Sequence, residues 1–185
     1  MGYIFDVDVL ARVARAHLGE PMDRMIESIA ADLHEVYPGH INRRPPWVLN
    51  NAGGAMGAFC LLHASITEYL IVFGTPIGTE GHSGRHTATD YFIILDGEQW
   101  AFSAGSTERE VYKPGDMHVL PAGSAQAYRI PERGWALEYA RGFIPGMMPF
   151  GLADVVSSTL DVPTFAKTLG IYTQAVVGQL LKGKI

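Results

Sequence analysis

The 185 residues predict an α+β chain of one domain. Two helices fall in residues 1–40, a β-barrel in 47–142 and two more helices in 143–185. Three observations carry this reading. Apolar residues between 22 and 37 recur at helical spacing. From residue 47 glycine recurs every few positions, between runs of β-branched and aromatic side chains. After residue 143 the helical spacing returns while charge nearly vanishes.

In the first zone, Asp6 or Asp8 is placed to cap a helix running to about Leu18, and Gly19 and Pro21 punctuate its end. The next helix presents Met22, Met25, Ile26, Ile29, Leu33, Val36 and Tyr37 on one face. Asp23, Glu27, Asp32 and Glu35 take the other. Pro38-Gly39 ends it, and Arg43-Arg44-Pro45-Pro46 reads as a linker.

The middle zone predicts strands at 58–65, 68–73, 90–95, 99–103, 116–120, 126–130 and 135–141. Turn residues separate them: Gly74-Thr75-Pro76, Asp96-Gly97, Pro114-Gly115 and Pro121-Ala122-Gly123. Many short strands at regular spacing indicate a barrel or sandwich. Cys60, the single cysteine, lies in the apolar run Ala58-Phe59-Cys60-Leu61-Leu62 and reads as a buried, inert thiol. His63 in the same region reads as a satisfied core histidine.

In the last zone Phe165, Leu169, Tyr172, Val176 and Leu180 share one helical face, with Pro163 near the helix start. Only Asp154, Asp161 and Lys167 carry charge between Gly142 and Lys182, far below the chain's 18%. Such helices are covered by a partner, floor the barrel or lie in a membrane interface; the expectation is a membrane-facing surface. Its polar face carries Ser, Thr and Gln rather than lysine, so attachment to anionic lipid by charge is weak.

A net charge of −5 argues against a nucleic-acid partner. No run reaches the ~18 uninterrupted apolar residues of a membrane-spanning helix. No basic segment precedes an apolar one at the N-terminus, so no signal peptide is expected.

The barrel carries the glycine and proline skeleton of a cupin: Gly78 and Gly97 bound one half, and Gly115, Pro121 and Gly123 form the other. These residues shape turns and bulges. The metal ligands of that pattern are mostly absent. Gly84 and Gln126 stand where histidines belong, leaving His86 and Asp90. Three or more supported N, O or S donors are the norm for a transition metal, so no metal and no other cofactor is expected. The barrel is cupin-like and turned to another use.

Two acids stand out instead. Asp90 and Glu138 lie in otherwise apolar strands, where a carboxylate is costly unless paired, protonated or used. Asp90 could cap a turn or pair with Arg85, and Glu138 could pair with Arg141. His82 and His86, in a glycine-rich loop, read as structural or pocket-rim residues.

Several segments together resemble the fungal C-8 sterol isomerase and sigma-1 receptor family. They are Asn50-Asn51-Ala52-Gly53-Gly54-Ala55-Met56-Gly57-Ala58, Leu61-Leu62-His63-Ala64-Ser65, Glu68-Tyr69, Phe73-Gly74-Thr75, Gly81-His82-Ser83-Gly84-Arg85, Glu138-Tyr139-Ala140-Arg141-Gly142 and Ile144-Pro145. The resemblance covers nearly the whole chain. Gly74-Thr75-Pro76-Ile77-Gly78-Thr79-Glu80-Gly81 and Pro149-Phe150-Gly151-Leu152-Ala153-Asp154 are closer to the isomerase branch. The family's hydrophobic N-terminal segment is not among these residues.

The resemblance implies a cupin-fold barrel with a buried ligand cavity, membrane-facing C-terminal helices and a homotrimer, in which Gly53 and Gly57 permit close packing near the subunit interface. It implies a sterol or other polycyclic lipid as ligand, cationic amphiphilic amines as inhibitors, and peripheral membrane association, at the endoplasmic reticulum in a eukaryote. It places Glu138 at the acid that meets the ligand, with Tyr69 hydrogen-bonded to it. Asp90 reaches toward the second acid, whose ungapped position is Phe92, two residues away on the same strand face. Ala55, Phe59, Leu61, Ile71 and Phe73 fall at or near apolar pocket positions, and His82 at the rim. The chemistry implied is movement of a double bond from C8=C9 to C7=C8 by Glu138, Asp90 and Tyr69. The alternative is a non-catalytic binder of amines or sterols.

Overall fold

The computed structural model describes residues 2–185. Helices α1 (Val7–Ala16) and α2 (Met22–Val36) come first. Asp6 caps α1 by accepting from the Val9 amide at 3.0 Å. The helix stops at Ala16, before the expected Leu18, because His17 leaves helical geometry. The His17 imidazole bridges Glu20 at 2.9 Å and Asp32 at 2.8 Å, tying α1 to α2 and holding its own pKa above the ordinary value. Val36, assigned to the apolar face, is exposed at the fraying end of α2.

Ten strands follow: β1 (Trp47–Ala52), β2 (Ala55–Ala64), β3 (Glu68–Thr75), β4 (Thr79–His82), β5 (Ala88–Gly97), β6 (Gln99–Phe102), β7 (Glu110–Tyr112), β8 (Met117–Leu120), β9 (Ala127–Ile130) and β10 (Gly134–Gly142). They form an antiparallel six-stranded sheet, β1-β2-β3-β10-β5-β8, and a four-stranded sheet, β4-β9-β6-β7. All seven expected strands are present. The additional β1, β4 and β7 are short or polar strands at sheet edges, where the alternation of apolar residues fades.

The skeleton glycines are needed for their backbone. Gly97 has φ 73°, and a Cβ there would lie 1.9 Å from the Arg133 carbonyl oxygen. Gly53 (φ 62°) lets the β1–β2 turn approach β4, where the His82 amide donates to its carbonyl at 2.8 Å. A Cβ on Gly53 or Gly57 would strike His82 or Phe73 of the same chain, so both glycines have an intrachain reason to be small.

The large sheet is buried on both faces, which explains why its strands read as continuous apolar runs. Tyr91, Ile93, Leu137 and Tyr139 point outward against α1 and α2. Alternate residues point inward to the second sheet and the C-terminal helices. Cys60 is on the outward side, fully buried, and burial pushes its thiol up to about 12. His63 is only half satisfied: Nδ1 meets the His40 carbonyl at 2.8 Å, while Nε2 is buried without a partner.

After β10 come a 3₁₀ turn (Ile144–Gly146), α3 (Met148–Asp154), a π-helical turn (Val155–Thr159) and α4 (Val162–Leu180), capped by Asp161. One face of α4 packs on the barrel through Thr168, Ile171, Tyr172 and Val176. The other exposes Val162, Leu169, Val177 and Leu180. Among the described residues no helix is long and apolar enough to cross a membrane.

The two ends of the chain meet at Glu68, which is fully buried. Its Oε1 accepts from Lys184 Nζ at 2.7 Å and the Ile4 amide at 2.8 Å; Oε2 accepts from the Tyr139 hydroxyl at 2.8 Å. Lys184 Nζ also donates to the Gly2 carbonyl at 3.2 Å and Thr67 Oγ1 at 2.9 Å.

Candidate active site

The space between the two sheets is a cavity of about 160 Å³, closed at one side by α3 and α4. Its wall can be read from strand register. In one row, Ile71 of β3 faces Glu138 of β10, which faces Phe92 of β5, which faces His118 of β8. In the next row Tyr69 faces Ala140, which faces Asp90. Every second residue shares a face, so Glu138, Asp90 and Tyr69 all point into the cavity. The same parity sends Arg141 outward, where it lies over the Tyr91 ring at 4.9 Å. Arg85 donates to the Gly123 carbonyl. Neither arginine pairs with the acid suggested for it.

Tyr69 donates a hydrogen bond to Glu138 Oε1. Glu138 is half-buried and lines the cavity. Burial raises its pKa, and the Tyr69 bond partly offsets the rise. Asp90 is 2% exposed, and its Oδ1 has no partner. Burial first and the Glu138 charge second drive its pKa well above the carboxylate range. Burial in an apolar wall thus pushes both carboxyls toward their protonated forms, and the Glu138 charge adds to this at Asp90. Tyr128 of β9 and Tyr172 of α4 also line the cavity, and both phenols are pushed upward by burial and then by the Glu138 charge.

Phe59, Ile71, Phe73 and Phe92 line the cavity as expected, and His82 lies at its exposed mouth. Ala55 and Leu61 do not. Ala55 is buried beside the Gly81 backbone, and Leu61 is sealed in the apolar cluster with Phe59 and Ile71. His86 bonds the Ser83 carbonyl at 3.0 Å and packs edge-on against Phe150.

Tyr128, Gln99 and His118 were not anticipated as cavity residues. Parity supplies the signal: His118 alternates with outward Val119, and Tyr128 with Ile130 on one face. His118 Nε2 contacts Gln126 Oε1 at 2.8 Å and Nδ1 contacts Gln99 Nε2 at 2.8 Å. Gln126 is therefore engaged with protein at the position of a cupin ligand, and Gly84 offers no side chain. This donor set does not fit a cupin metal, and among the described residues no group of three or more His, Cys, Asp or Glu could hold one.

Over residues 1–184 the chain matches a family model described as ERG2 and Sigma1 receptor like protein. It belongs to that family. Its relatives in the isomerase branch of the ERG2 and sigma-1 receptor family include the C-8 sterol isomerase ERG2 of Gibberella zeae, 51% identical over 99% of this chain and 79% of that protein. The C-8 sterol isomerase of Neurospora crassa is 51% identical over 98% of this chain and 73% of its own length. The sigma non-opioid intracellular receptor 1 of Gallus gallus is 42% identical over 95% and 80%. Among solved structures, an RmlC-like cupin from Shewanella frigidimarina aligns over 55% of this chain and 86% of its own, at 16% identity and a TM-score of 0.45.

Proposed function

We propose that this protein is a C-8 sterol isomerase, moving a sterol double bond from C8=C9 to C7=C8. The observation that carries the reading is the pairing of Asp90 and Glu138 on one inward face of an apolar cavity, in a chain about half identical to proteins bearing that name. The reaction needs an acid that keeps its proton at neutral pH and a base beside it. A carboxylic acid of the pair gives its proton to C9, and the C9 bond to it forms from the π electrons. The cation left at C8 loses a C7 proton to a carboxylate of the same pair, and those electrons become the C7=C8 bond. One proton enters and one leaves, so no redox step or cofactor is required. Tyr69 orients Glu138, and the negative charge the pair retains stabilises the cation.

Cationic amphiphilic amines would act as inhibitors because they mimic that cation. A non-catalytic amine- or sterol-binding reading uses the same retained charge and is favoured by the identity to the sigma-1 receptors. The apolar outer face of α4 supports peripheral membrane association through the C-terminal helices, at the endoplasmic reticulum in a eukaryote. A homotrimer is the assembly proposed by the family resemblance.

The test is conversion of a Δ8-sterol by purified protein in detergent or liposomes, read by mass spectrometry. Δ7 product is the expected result. No turnover, with saturable binding of a cationic amine, would favour the binder.

A further inference from the structure

The inner face of the large sheet changes character from one side to the other. Phe59 of β2 and Ile71 and Phe73 of β3 lie near α4. Glu138 and Asp90 stand in the middle, on β10 and β5. His118 stands on β8, two strands beyond Glu138, about 10 Å at ordinary strand spacing. The His118 ring is stacked between Phe92, 5.5 Å away, and Tyr112, 4.5 Å away, so it cannot swing. Its two nitrogens are occupied by the amides of Gln99 and Gln126, each at 2.8 Å.

Bonds of this kind set a direction along the chain of groups. The Gln99 amide nitrogen can only donate, so His118 Nδ1 accepts and Nε2–H donates to Gln126 Oε1. That leaves the imidazole neutral, in line with the lowering of its pKa by burial. Gln126 continues the chain by donating to Ser103 Oγ at 3.1 Å and Glu110 Oε1 at 3.2 Å. The Gln99 carbonyl oxygen is left over. Gln99 is itself buried and lines the cavity, and among the described residues Oε1 has no hydrogen-bond partner. It is not sealed in protein as the orphaned Asp90 Oδ1 is.

We propose that Gln99 Oε1 accepts the hydrogen bond of the substrate's terminal hydroxyl, with His118 as the positioning residue that fixes the amide. The inference rests on the isomerase reading and deepens it. A sterol carries, in order, a hydroxyl on its first ring, the reacting double bond in its second and an apolar chain on its last. The cavity wall carries, in the same order, the Gln99–His118 pair, the acid pair and the aromatic and aliphatic patch under α4. The hydroxyl end therefore lies on the Gln99–His118 side and the tail beneath the helices. The hydroxyl fixes the ring system in register with the acids, so the class of ligand is a hydroxylated polycyclic lipid rather than a hydrocarbon or an ester.

The experiment compares a Δ8-sterol, its 3-deoxy analogue and its 3-O-methyl ether as substrates of the purified protein. Wild type should prefer the free alcohol in kcat/KM by roughly tenfold or more over both analogues, since neither can donate to Gln99. In Gln99→Leu the preference should fall toward one, and in His118→Phe it should fall with it. Equal wild-type turnover of alcohol and deoxy compound overturns the hydroxyl site while leaving the isomerase reading intact. Retention of the full preference in Gln99→Leu also overturns it. Failure of wild type to turn over any of the three removes the isomerase reading and the hydroxyl site together. The wild-type series decides the question even where a variant does not fold.

Discussion

Asp90 lies diagonally across the β5–β10 ladder from Glu138: Asp90 faces Ala140, and Glu138 faces Phe92. The two carboxyls therefore share one side of the sheet and act on one another, while Tyr69 holds only Glu138. Asp90 is the member of the pair left without a hydrogen bond on Oδ1. The arrangement differs from a salt-bridged acid, because among the described residues no cation pairs with either carboxyl and burial pushes both pKa values up.

Glu138→Gln should lower Δ8-to-Δ7 conversion by about 10²–10⁴-fold, the usual range for a lost general acid or base. The same variant should melt higher than wild type at neutral and alkaline pH. The folded-state pKa of Glu138 is raised, so the native protein holds a proton that the unfolded chain releases. Stability from this group is complete below the unfolded carboxyl pKa of about 4.3 and is lost as pH rises through the higher folded value. Thermal melts from pH 4 to 8 should show the gain of the variant shrinking toward acid.

Tyr69→Phe removes the bond that holds the Glu138 pKa down. Both limbs of the pH–kcat profile should then move to higher pH, with activity reduced about tenfold or more. A profile that keeps its position while only the rate falls would show Tyr69 acting through packing alone.

Lys184→Ala strips the cation from the fully buried Glu68. An uncompensated buried charge costs about 3–5 kcal/mol, read as a lower urea midpoint. Adding Glu68→Gln should restore part of that loss, since the amide still meets Tyr139 without a charge.

Cys60 should stay unmodified by a thiol-specific disulfide reagent in the native protein and react once denaturant is added. Its thiol is fully buried and raised to about 12, so little thiolate exists to attack at neutral pH.

Periodicity makes much of this architecture readable in the sequence. The Asp6 cap, the apolar stripe of α2 and the strands between turn glycines are local patterns, and local patterns survive in sequence. Both acids could be picked out because carboxylates are conspicuous in apolar strands. Their common face was not readable, because it depends on the offset between β5 and β10 and on a register shift beside Trp135. The Gln99–His118 contact joins the two sheets and has no local signature. Glu68 stands beside Tyr69 in the sequence, yet nothing in its neighbourhood announces Lys184, more than a hundred residues away. Ala55 and Leu61 have the expected character for a pocket, but Ala55 is covered by the Gly81 backbone and Leu61 by its neighbours on the inner face of the sheet.

Gly2 and Lys184 lie within hydrogen-bonding distance of one another beside Glu68. Between Gly2 and Lys184 the backbone therefore runs as a loop that closes on itself at Glu68. A short Gly-Ser bridge could join Gly2 to Lys184, and new ends could be opened in the exposed stretch 103–109 between β6 and β7, on neither of the strands that carry the acids. The rearranged chain would carry α1 and α2 directly after α4 while every strand kept its neighbours.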